Sequence, residues 1–203
     1  LSKAFKNKNI KKLSIIQNKS FELSLLLSIP ASLGLILASE EIVNALFGYG
    51  SFSLEDVKLT ADALKFFAYG VPAFALVKIL SNFFFARDNT KTPFYISSVM
   101  VLINISISLS LFPSFGFIII PIATSTATWI GVIIYIYLLY KKNFLLLKIE
   151  LIPNIIKILF STIIMSLILI LVLNNYVSYL DYTYKFKAIY LILIVGFAGI
   201  VYL

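Results

Sequence analysis

An all-α, polytopic bundle of six transmembrane helices is the fold this sequence predicts, and three observations carry the expectation. Hydrophobic residues make up 61% of the chain and the mean hydropathy is +1.00, well above the roughly 45–50% apolar content of soluble domains. Six long apolar runs follow one another, at 21–39, 63–86, 94–112, 117–140, 154–173 and 186–203. A hydrocarbon layer about 30 Å thick needs about 20 apolar residues at about 1.5 Å each, close to the length of every run. Third, most basic residues fall in every second gap between the runs.

That third pattern sets an orientation. Lys3, Lys6, Lys8, Lys11, Lys12 and Lys19 precede the first run, Arg87 and Lys91 follow the second, and Lys141, Lys142 and Lys148 follow the fourth. The gap after the first run carries Glu40, Glu41, Glu55, Asp56 and Asp62 against Lys58. Lys and Arg accumulate on the cytoplasmic side of membrane helices. The chain therefore starts inside, crosses six times and finishes inside. One outer gap is mixed, with Lys185 and Lys187 beside Asp181.

Taken in order, residues 1–20 read as a basic cytoplasmic helix end. The first span holds Pro30 and Gly34, and proline inside a helix removes a backbone hydrogen bond and kinks it. The span closes at Asn44 to Phe52, a turn whose glycines suit positive φ. Ser53 is an N-cap with Asp56 in the capping-box position, so a second helix is predicted from Leu54 to Ala86. Arg87-Asp88-Asn89-Thr90-Lys91-Thr92-Pro93 is a tight cytoplasmic connection, with Thr92 expected to cap the third helix and Pro93 at its first position. Pro113-Ser114-Phe115-Gly116 turns the third span into the fourth, completing four helices over 21–140. Tyr135, Tyr137 and Tyr140 suit an interfacial aromatic belt. A loop at 141–153 leads to two plain apolar helices over 154–203. Leu1 in place of methionine, and an ending inside an apolar run, read as a portion of a longer protein.

Composition excludes several functions. Neither cysteine nor histidine occurs, which removes thiol chemistry and the usual proton shuttle. The acidic residues sit in loops and at span ends, so no general acid–base pair is visible in the membrane. The +8 net charge is explained by lysines bordering spans and meeting anionic lipid, not by nucleic acid.

Lys78 breaks the pattern. It lies inside the second span, about 13 Å before Arg87 at helical rise. A cation there costs about 2.5–3.5 kcal/mol on insertion scales. Two readings stand: it snorkels to the head groups, or it faces a cavity that receives an anionic group. Lys65 is accounted for by an ion pair with Asp62. Asn104 and Ser108 share one face of the third span, and Thr124, Ser125, Thr126 and Thr128 make the fourth polar. These oxygens suit either a hard monovalent cation or interhelical hydrogen bonding.

Several stretches carry a resemblance. Ile29 to Phe52 (Ile-Pro-Ala-Ser-Leu-Gly-Leu through Leu-Phe-Gly-Tyr-Gly-Ser-Phe), Leu76-Val77-Lys78-Ile79-Leu80, Phe85 to Pro93, Gly116 to Thr126 and the opening Leu1 to Phe5 resemble the MurJ (MviN) family of lipid II flippases. The resemblance runs in order along essentially the whole chain, and Lys-Thr-Pro at its distance from the intramembrane lysine is its most specific part. It implies the last six helices of a fourteen-helix, two-lobe transporter of the multidrug/oligosaccharidyl-lipid/polysaccharide exporter superfamily, in the bacterial inner membrane. Such proteins move the undecaprenyl-linked peptidoglycan precursor outward by alternating access, without a cofactor, driven by membrane potential or a monovalent cation. Partners implied are that precursor, the phospholipid bilayer and the first lobe of the same chain. Lys78 would line the head-group cavity, and the last two helices would supply an apolar groove for the lipid tail. Some members are thought to couple to a cation through a carboxylate in the third span; here Asn104 and Ser108 stand without an acid. A related exporter of polysaccharide-lipid or drugs, a membrane-embedded lipid or glycan enzyme, and a structural membrane protein are the rivals. Upstream arginines would favour the flippase and upstream carboxylates a drug antiporter.

Overall fold

The computed structural model describes residues 10–176 and 186–202. Lys3, Lys6, Lys8, the opening Leu1 to Phe5, Asp181 and Lys185 lie outside those residues. Among the described residues there is no strand. Four stretches are long and apolar enough to cross a membrane, Lys11–Leu37, Leu54–Phe85, Lys91–Lys141 and Leu151–Asn175. The third folds back on itself as a hairpin, and the shorter apolar helix Lys187–Tyr202 follows. The path thus makes the six passages expected.

Helix α1 (Ile10–Leu37) contains Pro30. Its missing N–H releases the Leu26 carbonyl four residues earlier, and the Tyr202 hydroxyl donates to that oxygen at 2.8 Å. A short α2 (Ser39–Phe47) follows, with Glu40 and Glu41 in its first turn. Partial burial pushes the Glu41 carboxyl above the ordinary glutamate range. Gly50 takes φ +63° in the turn that follows. Ser53 then caps α3 (Leu54–Ala68) in a full capping box with Asp56, as its sequence predicts.

The second span is broken, unlike the continuous helix expected from Leu54 to Ala86. Tyr69 and Gly70 form a turn, and α4 (Val71–Phe85) starts anew with Pro72 in its first turn. Pro72 cannot donate to Ala68, so that carbonyl accepts from Ser32 of α1 at 2.6 Å. The Gly70 N–H bonds to Phe67 instead of Phe66, and Ser125 donates to the Phe66 carbonyl at 2.7 Å. The Trp129 indole donates to Tyr69 at 3.0 Å. A Cβ on Gly70 would meet Ser125 Oγ at 2.6 Å, so the close approach demands glycine. Sequence alone showed Pro72 and Gly70 but not the partners that make a break affordable in an apolar medium.

Helix α5 (Lys91–Phe115) and α6 (Ile119–Lys141) form the hairpin, joined by a 3₁₀ turn at Gly116–Ile118; the turn expected over Pro113 to Gly116 thus starts later, with Pro113, Ser114 and Phe115 still helical. Gly116 has φ +63°. The cap of α5 differs from expectation: helix begins at Lys91, two residues before Pro93, and Asn89 Oδ1 accepts from the Thr92 N–H at 3.1 Å. Asn is the better acceptor here because its short side chain reaches back over the first turn. Tyr135 is buried against Phe84, ring centroids 6.0 Å apart, while Tyr137 and Tyr140 are exposed as an interfacial belt requires. Helix α7 (Leu151–Tyr176) and α8 (Lys187–Tyr202) complete the bundle.

Two cores result. One joins α1, α4, α5 and α6 through Phe21, Leu76, Leu80, Phe83, Phe84, Ile96, Val132 and Tyr135. The other seats α7 and α8 on the outer half of α1 and on α2, through Ala38, Ala45, Met165, Leu169, Leu191 and Ile194. Leu102, Leu109, Ile163 and Leu193 stay exposed, as lipid-facing side chains do in a bundle that has no water to escape.

Ser28 and Ser32 of α1 make a controlled comparison. Both are buried; Ser32 serves the Ala68 carbonyl, whereas Ser28 Oγ has no partner among the described residues. Ser32→Ala should destabilise the protein by about 1–3 kcal/mol, the cost of an orphaned buried acceptor. Ser28→Ala should be neutral. Reversible unfolding of both variants in mixed micelles provides the check.

Candidate functional site: an open helix face, a clamped inner loop and a buried lysine

Lys78 projects from the exposed face of α4 with Phe74, Asn82 and Phe85. Its own carbonyl accepts from Ser81 Oγ at 2.9 Å. It stands about 12 Å beyond the Gly70 break at helical rise, well inside the span. No described residue encloses it, so the open face of the bundle is where it points.

The polar residues of the third and fourth spans do meet. Asn104 Nδ2 donates to Thr124 Oγ1 at 2.8 Å, and Thr124 Oγ1 donates to the Ile120 carbonyl at 2.8 Å. Ser108 Oγ, one turn beyond Asn104, is enclosed without a partner. These oxygens are neutral, and no group of three His, Cys, Asp or Glu side chains gathers among the described residues. Lys78 is not part of this cluster. Its nearest sequence-predicted companions, Arg87 to Pro93, lie at the inner end.

There the motif orders a loop. Arg87 donates to the Phe83 carbonyl at 2.6 Å and to the Phe144 carbonyl at 3.1 Å, and its guanidinium lies 4.3 Å from the Phe144 ring centroid. Asp88 takes φ +55°, which lets the chain turn so that the Asn89 N–H reaches Phe84 at 3.1 Å. Lys142 Nζ reaches Thr92 Oγ1 at 3.4 Å, while Lys91 is exposed and Pro93 buried. The same loop is held from α1. Gln17, fully buried, donates to Phe144 at 2.9 Å and accepts from the Leu146 N–H at 2.8 Å. Asn18 accepts from the Lys148 N–H at 2.9 Å, and Ser14 donates to Leu146 at 2.7 Å. The sequence pointed to Arg87 as a loop-ordering residue; it gave no sign of Gln17, whose role needs a partner 127 positions away.

The fully buried cation is another residue. Lys187, at the start of α8, donates to Asn44 Oδ1 at 2.9 Å and to the Gly48 carbonyl at 2.6 Å, with the Tyr49 ring centroid 4.1 Å from its Nζ. It fastens α8 to the end of α2. A Cβ on Gly48 would come within 3.0 Å of that ammonium, which explains a glycine where the turn closes. Charge counting placed Lys187 only in a mixed outer gap. The anticipated Asp62–Lys65 ion pair does not form; Asp62 is exposed, where ordering two long side chains gains little.

An apolar groove of 520 Å³ runs between α1, α7 and α8, lined by Leu27, Pro30, Gly34, Met165, Leu169 and Val195 among others. Its polar spot is Tyr202, already engaged by Leu26.

Six passages of apolar helix define a multi-pass α-helical membrane protein. Comparison with known proteins gives its family. The profile of the family described as lipid II flippase MurJ matches residues 1–191, and the chain belongs to that family. A probable lipid II flippase MurJ of Rickettsia prowazekii is 41% identical over 104 residues, 51% of this chain and 20% of the relative. One from Buchnera aphidicola subsp. Schizaphis graminum is 29% identical over 200 residues, 98% of this chain and 39% of the relative. A solved structure, lipid II flippase MurJ in an inward closed conformation, superposes with a TM-score of 0.77 at 26% identity. That match covers 99% of this chain and 39% of the solved chain. The chain thus spans two-fifths or less of these relatives' lengths.

Lys187→Met keeps the aliphatic stem but leaves the Asn44 and Gly48 oxygens without their donor. Charge-assisted bonds of this kind contribute about 1.5–3 kcal/mol each, so the variant should melt markedly earlier than the parent. Proteolysis between α7 and α8 should quicken as well, while Lys58→Met, at an exposed lysine of α3, serves as the comparison in the same assay.

Proposed function

We propose that these helices are the last six of a fourteen-helix lipid II flippase in the bacterial cytoplasmic membrane. In this reading the full protein carries the undecaprenyl-linked peptidoglycan precursor from the inner to the outer leaflet by alternating access, and it is a transporter with no catalytic chemistry. The carrying observation is the family match over residues 1–191, made in a bundle whose mid-span cation lies on its open face.

The division of labour follows from the chemistry of the two surfaces. On the open face of α4, Lys78 offers three N–H donors to the diphosphate of the head group, a charge-assisted contact suited to an oxyanion. The groove between α1, α7 and α8 offers a polyprenyl chain walls of Leu, Met and Val with little polar surface to desolvate. The break at Tyr69–Gly70 separates the outer half of the span from the half bearing Lys78, giving the two halves a place to change angle. The first lobe of the same chain would close the cavity. For the driving force, Asn104, Ser108 and Thr124 supply oxygens without a formal charge, a weak cradle for Na⁺. Membrane potential acting on the charged substrate and on Lys78 is the source we favour.

The test replaces Lys78 in the full-length protein. Lys78→Ala should lower precursor flipping by about ten- to a hundredfold, the equivalent of one charge-assisted contact, and should fail to support growth of flippase-depleted cells. Lys78→Arg should retain most activity. Normal growth of the alanine variant at normal expression would remove Lys78 from the substrate path.

A further inference from the structure

Below the apolar groove, at the inner end of the α1–α7 seam, lies a second pocket of 430 Å³ that is different in kind. Lys19, Glu22 and Asn18 line it from α1, and Lys148, Glu150 and Asn154 line it from the loop and the start of α7. Ile15, Leu23 and Leu151 complete its apolar walls. The site is held open by α1 itself, because Asn18 Oδ1 accepts from the Lys148 N–H and so fixes the loop backbone beside Lys19 and Glu22. Lys148 and Glu150 reach each other only at 4.0 Å and are half or more exposed, so both keep capacity for another partner.

We propose that this pocket binds the head group of an aminophospholipid, phosphatidylethanolamine by chemistry, with one acyl chain rising into the apolar groove. Depth is the first argument: these charges stand at the inner interface, where the run of apolar residues on α1 begins. Charge is the second. Two lysines suit one phosphate, and two carboxylates suit one ammonium with three N–H donors, so the charges of the lining match a zwitterion. An anionic glycerol lipid would satisfy the lysines but face Glu22 and Glu150. A choline head group has no N–H to give them. Continuity is the third argument: Leu23 of the pocket is followed one turn later on α1 by Leu26 and Leu27 of the groove. A head group held below therefore places its chain at the groove's lower end. The pocket's volume falls within the range of about 300–1,000 Å³ typical of small-molecule sites. The acyl chain would occupy the lower end of the groove assigned above to the polyprenyl tail, so the resident lipid is held when no substrate is bound, and its readout is binding rather than flipping.

The full-length protein in nanodiscs tests it. Discs of phosphatidylcholine alone would be compared with discs containing phosphatidylethanolamine or phosphatidylglycerol, and co-purifying lipid and melting temperature measured. Phosphatidylethanolamine should be retained about tenfold over either alternative and should raise the melting temperature. In Glu22→Gln/Glu150→Gln that preference should vanish while phosphatidylglycerol retention rises; in Lys19→Gln/Lys148→Gln retention of both lipids should fall. Melting in phosphatidylcholine alone reports whether the variants fold. Equal retention of ethanolamine and choline lipids, a wild-type preference for phosphatidylglycerol, or an ethanolamine preference that survives loss of both carboxylates would overturn the proposal.

Discussion

A carbonyl freed inside a bilayer has no water to turn to, and that constraint organises this molecule. Pro30 and Pro72 each release one, and the break at Tyr69–Gly70 releases others. Each is met by a side chain from another helix: Tyr202 for Leu26, Ser32 for Ala68, Ser125 for Phe66 and Trp129 for Tyr69. In hydrocarbon an unmet backbone group costs several kcal/mol, more than the dispersion gained by any single side-chain contact. The helices must therefore assemble in the one arrangement that supplies all four donors. Bundle geometry and backbone satisfaction are the same requirement.

At the two membrane faces, polar groups do comparable work by other means. At one end of the bundle, Gln17, Asn18, Ser14 and Arg87 hold the backbone of the loop from Phe144 to Lys148, so α7 leaves the bundle in a set direction. At the other end, Lys187 fixes the start of α8 to the end of α2. The terminal pair α7–α8 is thus tied to the bundle at both ends, with an apolar groove between it and α1.

Much of this was legible residue by residue. The capping box at Ser53 and Asp56 and the end of α5 near Gly116 depend on neighbours within a few positions. So did the family resemblance, carried by short local motifs such as Lys91-Thr92-Pro93. The misreadings share another cause. Thr92 was expected to cap α5, but it lies within the helix and Asn89 accepts from its N–H; Tyr135 was expected at the interface, and it packs on Phe84 in the core. The second span was expected to be continuous because Pro72 near a helix start is inconspicuous until Ser32 is seen beneath it. In each case a competing partner decided the outcome.

Alone, the sequence determined the class, the number of passages and local features such as the Ser53 cap. Those follow from bilayer thickness, the positions of charge and the backbone habits of Pro, Gly and Ser, all readable along one dimension. Tertiary structure decided which lysine is buried, which helix breaks and where the apolar seam opens. Lys78 and Lys187 are alike as residues; only packing exposes one on an open helix face and encloses the other between Asn44 and Gly48. The physical reason is range. Burial and hydrogen-bond satisfaction are properties of contacts between residues such as Gln17 and Phe144, whose separation along the chain carries no trace of their proximity.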